Sequence, residues 1–207
     1  MEIEAKYALP DEAVGLAVLN APQVRRHAAG EIRVIRMESE YYCDVAGKLR
    51  DGGFTLRLRR ENGRGVCCLK EDISAERSVK IRHELECPAE TIADGVRGLL
   101  ACGAPRRFAE AVRNTPLTVS ARVQFMRRAL LLEYDGVFVE LSFDAGTFGT
   151  ARHVPFYELE AELKSGAEEP FRALLREWER LFSLVPQPLS KYARAKLAER
   201  GMISEQL

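Results

Sequence analysis

Three glutamates alternate along YELEAELK: Glu158, Glu160 and Glu162. A strand throws alternate side chains to opposite faces, so these three share a side, with same-face neighbours roughly 7 Å apart and mutually repelling. The chain opens the same way: in MEIEAKY, Glu2, Glu4 and Lys6 alternate with Ile3, Ala5 and Tyr7. Arg57 and Arg59 alternate with Leu56 and Leu58, and Lys70 lies opposite Leu69. Arg82, Glu84 and Glu86 face away from Ile81, His83 and Leu85, and Glu140, Ser142 and Asp144 from Leu141 and Phe143. One such strand is an ordinary half-exposed strand; its recurrence with both signs of charge is not. Carboxylates spaced in this way suit hard divalent cations, and Mg²⁺ takes one or two of them together with substrate phosphate and water. Arginine supplies a bidentate fork for phosphate oxygens, and lysine a compact charge.

Two architectures accommodate the pattern. A sandwich would send every charged face to water. A closed sheet would turn those faces onto a wet lumen and leave an apolar exterior for helices to cover. The second fits better, because the helices carry apolar stripes that need a sheet and the glutamate triplet needs cations nearby. Asp11 is a plausible N-cap for DEAVGLAVLN, residues 90–102 have helical spacing, and 168–184 place Phe171, Leu174, Leu175, Trp178, Leu181 and Phe182 on one side. A polar helix follows the break VPQP, so helices occupy about 168–200. Between them run ESEYYCDV, the hairpin FTLRLRR–VCCLK about Asn62-Gly63-Arg64-Gly65, VKIRHELEC, a hairpin about Asp135-Gly136, and FYELEAELKSG. The expectation is an α+β, mainly antiparallel β fold forming one domain over 1–207.

Composition narrows the partners. The 207 residues hold 31 basic and 31 acidic side chains, so no global basic field invites nucleic acid or an anionic membrane. Five cysteines, two of them adjacent at Cys67-Cys68, suit neither a disulfide framework nor a metal knuckle; the pair reads as strand packing with reduced thiols. His27, His83 and His153 fall on no ligand spacing. With no leader pattern and no apolar run of bilayer length, a cytoplasmic location is expected.

The motifs themselves resemble the CYTH domains, the triphosphate tunnel metalloenzymes. EIEAK at 2–6 is similar to the Glu-x-Glu-x-Lys signature, LRLRR at 56–60 to the paired arginines and CLK at 68–70 to the lysine that follows them. RHELE at 82–86, VELSFDAG at 139–146, YELEAELKSG at 157–166 and SKYAR at 190–194 resemble later family blocks in the same order. The resemblance implies an eight-stranded closed antiparallel tunnel with a charged interior, binding triphosphates with Mg²⁺ or Mn²⁺, in proteins that are often homodimers. It implies metal ligands at Glu2, Glu4, Glu158 and Glu160, and phosphate contacts at Lys6, Arg57, Arg59, Lys70, Arg82, Arg127 and Lys191. Glu84 and Glu86 would orient the basic groups or water, and Lys6 and Glu162 join them as catalytic candidates. Arg127 matches the family's basic residue best, with Arg122 and Arg128 as alternatives, and YYCDV displaces Asp44 from its family place.

The expected activity is metal-dependent hydrolysis of a linear triphosphate, inorganic tripolyphosphate foremost, to diphosphate and phosphate. Its rivals are an adenylate cyclase, a thiamine or nucleoside triphosphatase, and a sensor that binds without turnover. Glu4→Gln is expected to abolish turnover with modest effect on folding, and Leu58→Asp to unfold the sheet.

Overall fold

The computed structural model describes residues 1–76, 79–149 and 153–203. Its strands are β1 (Glu2–Ala8), β2 (Arg33–Asp44), β3 (Phe54–Glu61), β4 (Arg64–Glu76), β5 (Val79–Pro88), β6 (Leu117–Tyr134), β7 (Val137–Phe148), β8 (Val154–Ser165) and a two-residue β9 (Val185–Pro186). The helices are α1 (Glu12–Asn20), α2 (Pro22–Arg25), α3 (Lys48–Asp51), α4 (Ile92–Ala101), α5 (Arg106–Val112), α6 (Glu168–Phe182) and α7 (Lys191–Glu199). The sheet runs β5-β4-β3-β2-β6-β7-β8-β1, and β1 also pairs with β5, so eight antiparallel strands close into a barrel. The short β9 adds to the far end of β1.

Local chemistry sets this topology. Asn62 and Gly63 take φ of 49° and 87° between the paired Glu61 and Arg64, and Asp135 and Gly136 take 46° and 75° between Tyr134 and Val137. Both central residues of each turn are left-handed, the two-residue geometry whose twist matches the strands it joins. Asp11 caps α1, accepting from the Val14 amide at 2.8 Å. α1 rests directly on the barrel at Gly15, where a Cβ would meet the Phe143 ring at 2.2 Å.

The apolar faces point outward, beneath helices. Ala5, Tyr7, Leu130, Leu132, Leu141 and Leu159 pack with Val18, Phe171 and Trp178 under α1 and α6. On the opposite side Leu56, Leu58, Cys67 and Leu69 pack with Leu99 of α4 and Phe108 of α5. α7 departs from the expectation that helices cover only the exterior. Its Ala195 and Ala198 pack with Met37, Tyr41, Val123, Phe125, Phe148 and Phe156, which share strand faces with the bore. Small alanines let α7 enter and fill one end of the barrel, packing largely against apolar side chains.

Candidate functional site

The rest of the bore is a cavity of about 310 Å³ whose lining, among the described residues, carries nine carboxylates and nine cations. Strand pairing determines which of them meet. On one wall Lys70 opposes Glu84 across the β4–β5 ladder and reaches it at 3.2 Å, while also bonding both oxygens of Glu2 at 2.7 and 2.8 Å. The Cys68 thiol donates to Glu84 at 2.8 Å, and Arg59 joins Glu86 at 3.0 Å and Glu61 at 2.6 Å. On the other wall Arg127 opposes Asp144 and grips it with two bonds of 2.8 and 2.7 Å, and it also donates to Glu160. Lys191, the first residue of α7, contacts Asp144 at 2.9 Å, Glu160 at 2.8 Å and Glu158. β1 joins the two walls: Lys6 lies 2.7 Å from Glu4 and 3.6 Å from Glu160, and Glu4 also accepts from Arg82.

Arg57 differs from the other tunnel cations. It forms no ion pair among the described residues, and its Nε is buried without a hydrogen-bond partner; the Arg59 Nε is buried and unpartnered too. Guanidinium stays charged at any physiological pH. An oxyanion is the partner that would complete it.

Competition for cations separates the carboxylates. Burial alone pushes Glu2, Glu4, Glu84, Glu158, Glu160 and Glu162 upward. Glu84 nevertheless falls to about 2, because Lys70, the Cys68 thiol and Arg57 outweigh that burial. Glu4 also falls to about 2 under Lys6, Lys70 and Arg82. Glu2 shares Lys70 with Glu84 and lies near Glu4, so burial prevails and carries it up to about 7. Glu158 and Glu162 are raised by burial as well.

These shifts predict a pH profile for the metal-free protein. Between about 4.5 and 7 the folded state holds a proton on Glu2 that the unfolded chain releases, so stability falls as pH rises through that window. Below about 4.5, Glu4 and Glu84 impose the opposite slope, losing their contribution as pH drops toward 2. Urea midpoints measured in chelator from pH 4.5 to 8 should therefore decline toward neutrality; a rise from 5 to 7 would contradict this assignment of Glu2.

Every expected site residue except Glu158 lines the cavity. Glu158 shares the inward parity but is fully buried behind the lining, held by Lys191 and Arg194. Arg127 is the tunnel arginine of β6; Arg122 pairs with Glu40 and Arg128 with Glu12, neither lining the cavity. Asp44 lies outside the cavity and accepts from the Lys48 and Leu49 amides of α3 at 2.9 and 2.8 Å. Cys67 packs beneath α4 as expected, whereas Cys68 faces the bore, because adjacent strand residues must diverge. Residues that the motifs did not single out include Asp144, whose alternation with Glu140 was the available signal, and Arg33, Asp72 and Arg194. Arg194 follows Lys191 by three positions and so lies on the same helix face, a spacing that could have been read.

Among the described residues, two groups bring ligand atoms within 4.8 Å of one another: Asp144, Glu158 and Glu160, and Cys68, Glu84 and Glu86. The first is an all-oxygen set of the kind Mg²⁺ and Mn²⁺ accept. In the second, burial pushes the Cys68 thiol up to about 12 and keeps it protonated, which suits a hard cation poorly. Glu2 and Glu4 line the cavity and enter neither group; each bonds lysine or arginine, as the carboxylates of both groups also do.

Comparison with known proteins is consistent with this geometry. The CYTH domain profile matches residues 1–195. Comparison with curated proteins finds no match. Among solved structures, a provisionally assigned adenylyl cyclase from Hippeastrum, described as having a dominant triphosphatase activity, superposes with a TM-score of 0.67 at 17% identity, covering 98% of this chain and 97% of that one. A protein from Pyrococcus horikoshii gives 0.57 at 16%, covering 97% and 99%, and a provisionally assigned adenylate cyclase from Bacillus halodurans gives 0.52 at 15%, covering 92% and 94%. At such identities the likeness concerns the fold. No described helix is long and apolar enough to cross a membrane.

Proposed function

We propose, for a chain that belongs to the CYTH domain family, that the tunnel binds and hydrolyses a linear triphosphate, inorganic tripolyphosphate foremost. The observation that carries this reading is an enclosed bore of interleaved cations and carboxylates in which the Arg57 guanidinium lacks an anionic partner among the described residues. A cavity of about 310 Å³ sits at the small end of the roughly 300–1,000 Å³ usual for ligand pockets. That size favours a compact polyanion over a whole nucleotide, whose nucleoside would have to project through the mouth. The Hippeastrum neighbour's described triphosphatase activity supports hydrolysis of a triphosphate in general.

Charge balance explains why carboxylates and cations occur together. The lining is formally neutral, so a triphosphate carrying about four or five negative charges brings an excess that its cations, all but Arg57 committed to carboxylates among the described residues, cannot absorb alone. Asp144, Glu158 and Glu160 would hold Mg²⁺ or Mn²⁺, which would supply that neutralisation and the activation of water. Arg57, Arg59, Lys70 and Arg82 hold phosphate oxygens on one wall, with Lys6, Arg127 and Lys191 on the other. Among the carboxylates expected to be catalytic, Glu84 near 2 is a poor proton acceptor, whereas Glu162, raised by burial at the opposite wall, suits the orienting of water. Preorganised charge does most of the work, since phosphoryl transfer asks little covalent chemistry of the protein.

The test is phosphate release from tripolyphosphate, ATP and thiamine triphosphate with Mg²⁺, Mn²⁺ or chelator. Tripolyphosphate should be cleaved fastest and only with metal. Release that survives chelation would contradict the cation's role, tight binding without release would identify a sensor, and cyclic AMP from ATP a cyclase.

A further inference from the structure

The three carboxylates that offer a divalent cation its ligands are the three that Lys191 already occupies. Its ammonium lies 2.9 Å from Asp144 and 2.8 Å from Glu160 and contacts Glu158, while one oxygen from each of these residues lies within 4.8 Å of the others. An ammonium and a divalent cation compete for the same lone pairs and repel each other, so they cannot share this triad. We propose that Lys191 is the triad's resident counter-ion, and that it moves to a substrate phosphate when a divalent cation enters, so that metal and triphosphate bind with positive coupling. The inference rests on the triphosphate reading of the tunnel.

The surroundings are built for that exchange. Without Lys191 each carboxylate keeps another cation: Glu158 retains Arg194, and Asp144 and Glu160 retain Arg127. Arg194 is itself buried, with its guanidinium 4.9 Å from the Phe148 ring centroid and 5.5 Å from that of Phe156, so Glu158 stays anchored from behind. Lys191 lines the cavity and begins α7, whose Ser190 cap accepts from the Ala193 amide at 3.1 Å. Its four-carbon stem can therefore swing toward the bore while the helix stays docked. A cation at a helix N-terminus opposes the helix dipole, and a phosphate drawn to the same place does not. Metal entering alone would displace Lys191 with no anion to receive it; triphosphate supplies that anion.

Calorimetric titration of Mn²⁺ into metal-free protein tests this without turnover. Wild type should bind Mn²⁺ weakly alone and about tenfold or more tightly with non-hydrolysable imidotriphosphate, after correction for the complex these form in solution. Lys191→Met should bind Mn²⁺ alone about tenfold tighter than wild type, and the analogue should then add little. A natively folded Lys191→Met that binds Mn²⁺ no tighter would overturn the proposal. So would a wild-type affinity indifferent to the analogue, an arm that decides the matter even where the variant does not fold. Hydrolysis without this coupling would sink the exchange alone; coupling without hydrolysis would sink only the assigned reaction.

Discussion

Arg57→Ala should lower kcat/KM for tripolyphosphate by about 10³-fold while leaving the melting temperature close to wild type. Removing one preorganised charge aimed at a developing oxyanion costs about 10²–10³ in rate, and arginines on transferring phosphoryl groups reach the upper part of that scale or beyond. The small stability effect follows from the neighbours. Among the described residues Arg57 holds no carboxylate in an ion pair; Glu84 keeps Lys70 at 3.2 Å and Glu86 keeps Arg59 at 3.0 Å, so no described buried carboxylate is stranded. Glu4→Gln makes the opposite case. Glu4 is 4% exposed and bonds Lys6 and Arg82, and neutralising it leaves two buried cations short of charge, at a cost of about 3 kcal/mol or more. The modest folding effect expected from sequence for that variant is therefore revised: it should lose both turnover and several degrees of melting temperature. Parallel melts and steady-state kinetics of the two variants decide this. An Arg57→Ala protein with unchanged kcat/KM, or one as destabilised as Glu4→Gln, would remove Arg57 from the phosphate site.

The contrast between these two glimpses of the tunnel also shows what alternation along a strand conveys. Glu2, Glu4 and Lys6, or Arg82, Glu84 and Glu86, reveal their shared face because the wall behind them is apolar and covered. β2 obeys the same periodicity with the opposite content. Ile35, Met37 and Tyr41 face inward, toward the end of the bore that α7 fills, while Glu38 and Glu40 pair with Arg36 and Arg122 outside the cavity. A rule that charge faces the lumen fails where the lumen is dry, and so the strand reads from residue 38 when it begins at Arg33. α7 is expected from sequence as a polar helix, with Lys191 in the tunnel, but its seat in the barrel is illegible for a related reason. Its burial depends on alanines and on Lys191 and Arg194, which look solvated until their carboxylate partners on β7 and β8 are in place. Periodicity reports a face; what that face meets is a tertiary fact.

Leu58→Asp should abolish cooperative folding. Leu58 is 6% exposed and packs with Leu56, Cys67, Leu69, Leu99 and Phe108 on the outer face of β3, while Arg57 and Arg59 on either side of it line the bore. The substitution forfeits about 2–3 kcal/mol of apolar burial. It also places a carboxylate beneath α4 and α5 at a further several kcal/mol, or forces it to take up a proton. Together these approach the whole stability of a typical domain, about 5–15 kcal/mol. The matched control lies three residues earlier. Thr55 lines the cavity directly opposite Lys70, so a carboxylate there meets a cation on the wet side, and Thr55→Asp should melt within a few degrees of wild type. Far-UV circular dichroism and thermal melts of the pair read out the partition of faces itself, since a one-residue slip would exchange the two results. A Leu58→Asp protein that melts like wild type, or a Thr55→Asp protein that collapses with it, would mean that β3 presents its other side to the bore, and the cation ring built on Arg57 and Arg59 would have no place to stand.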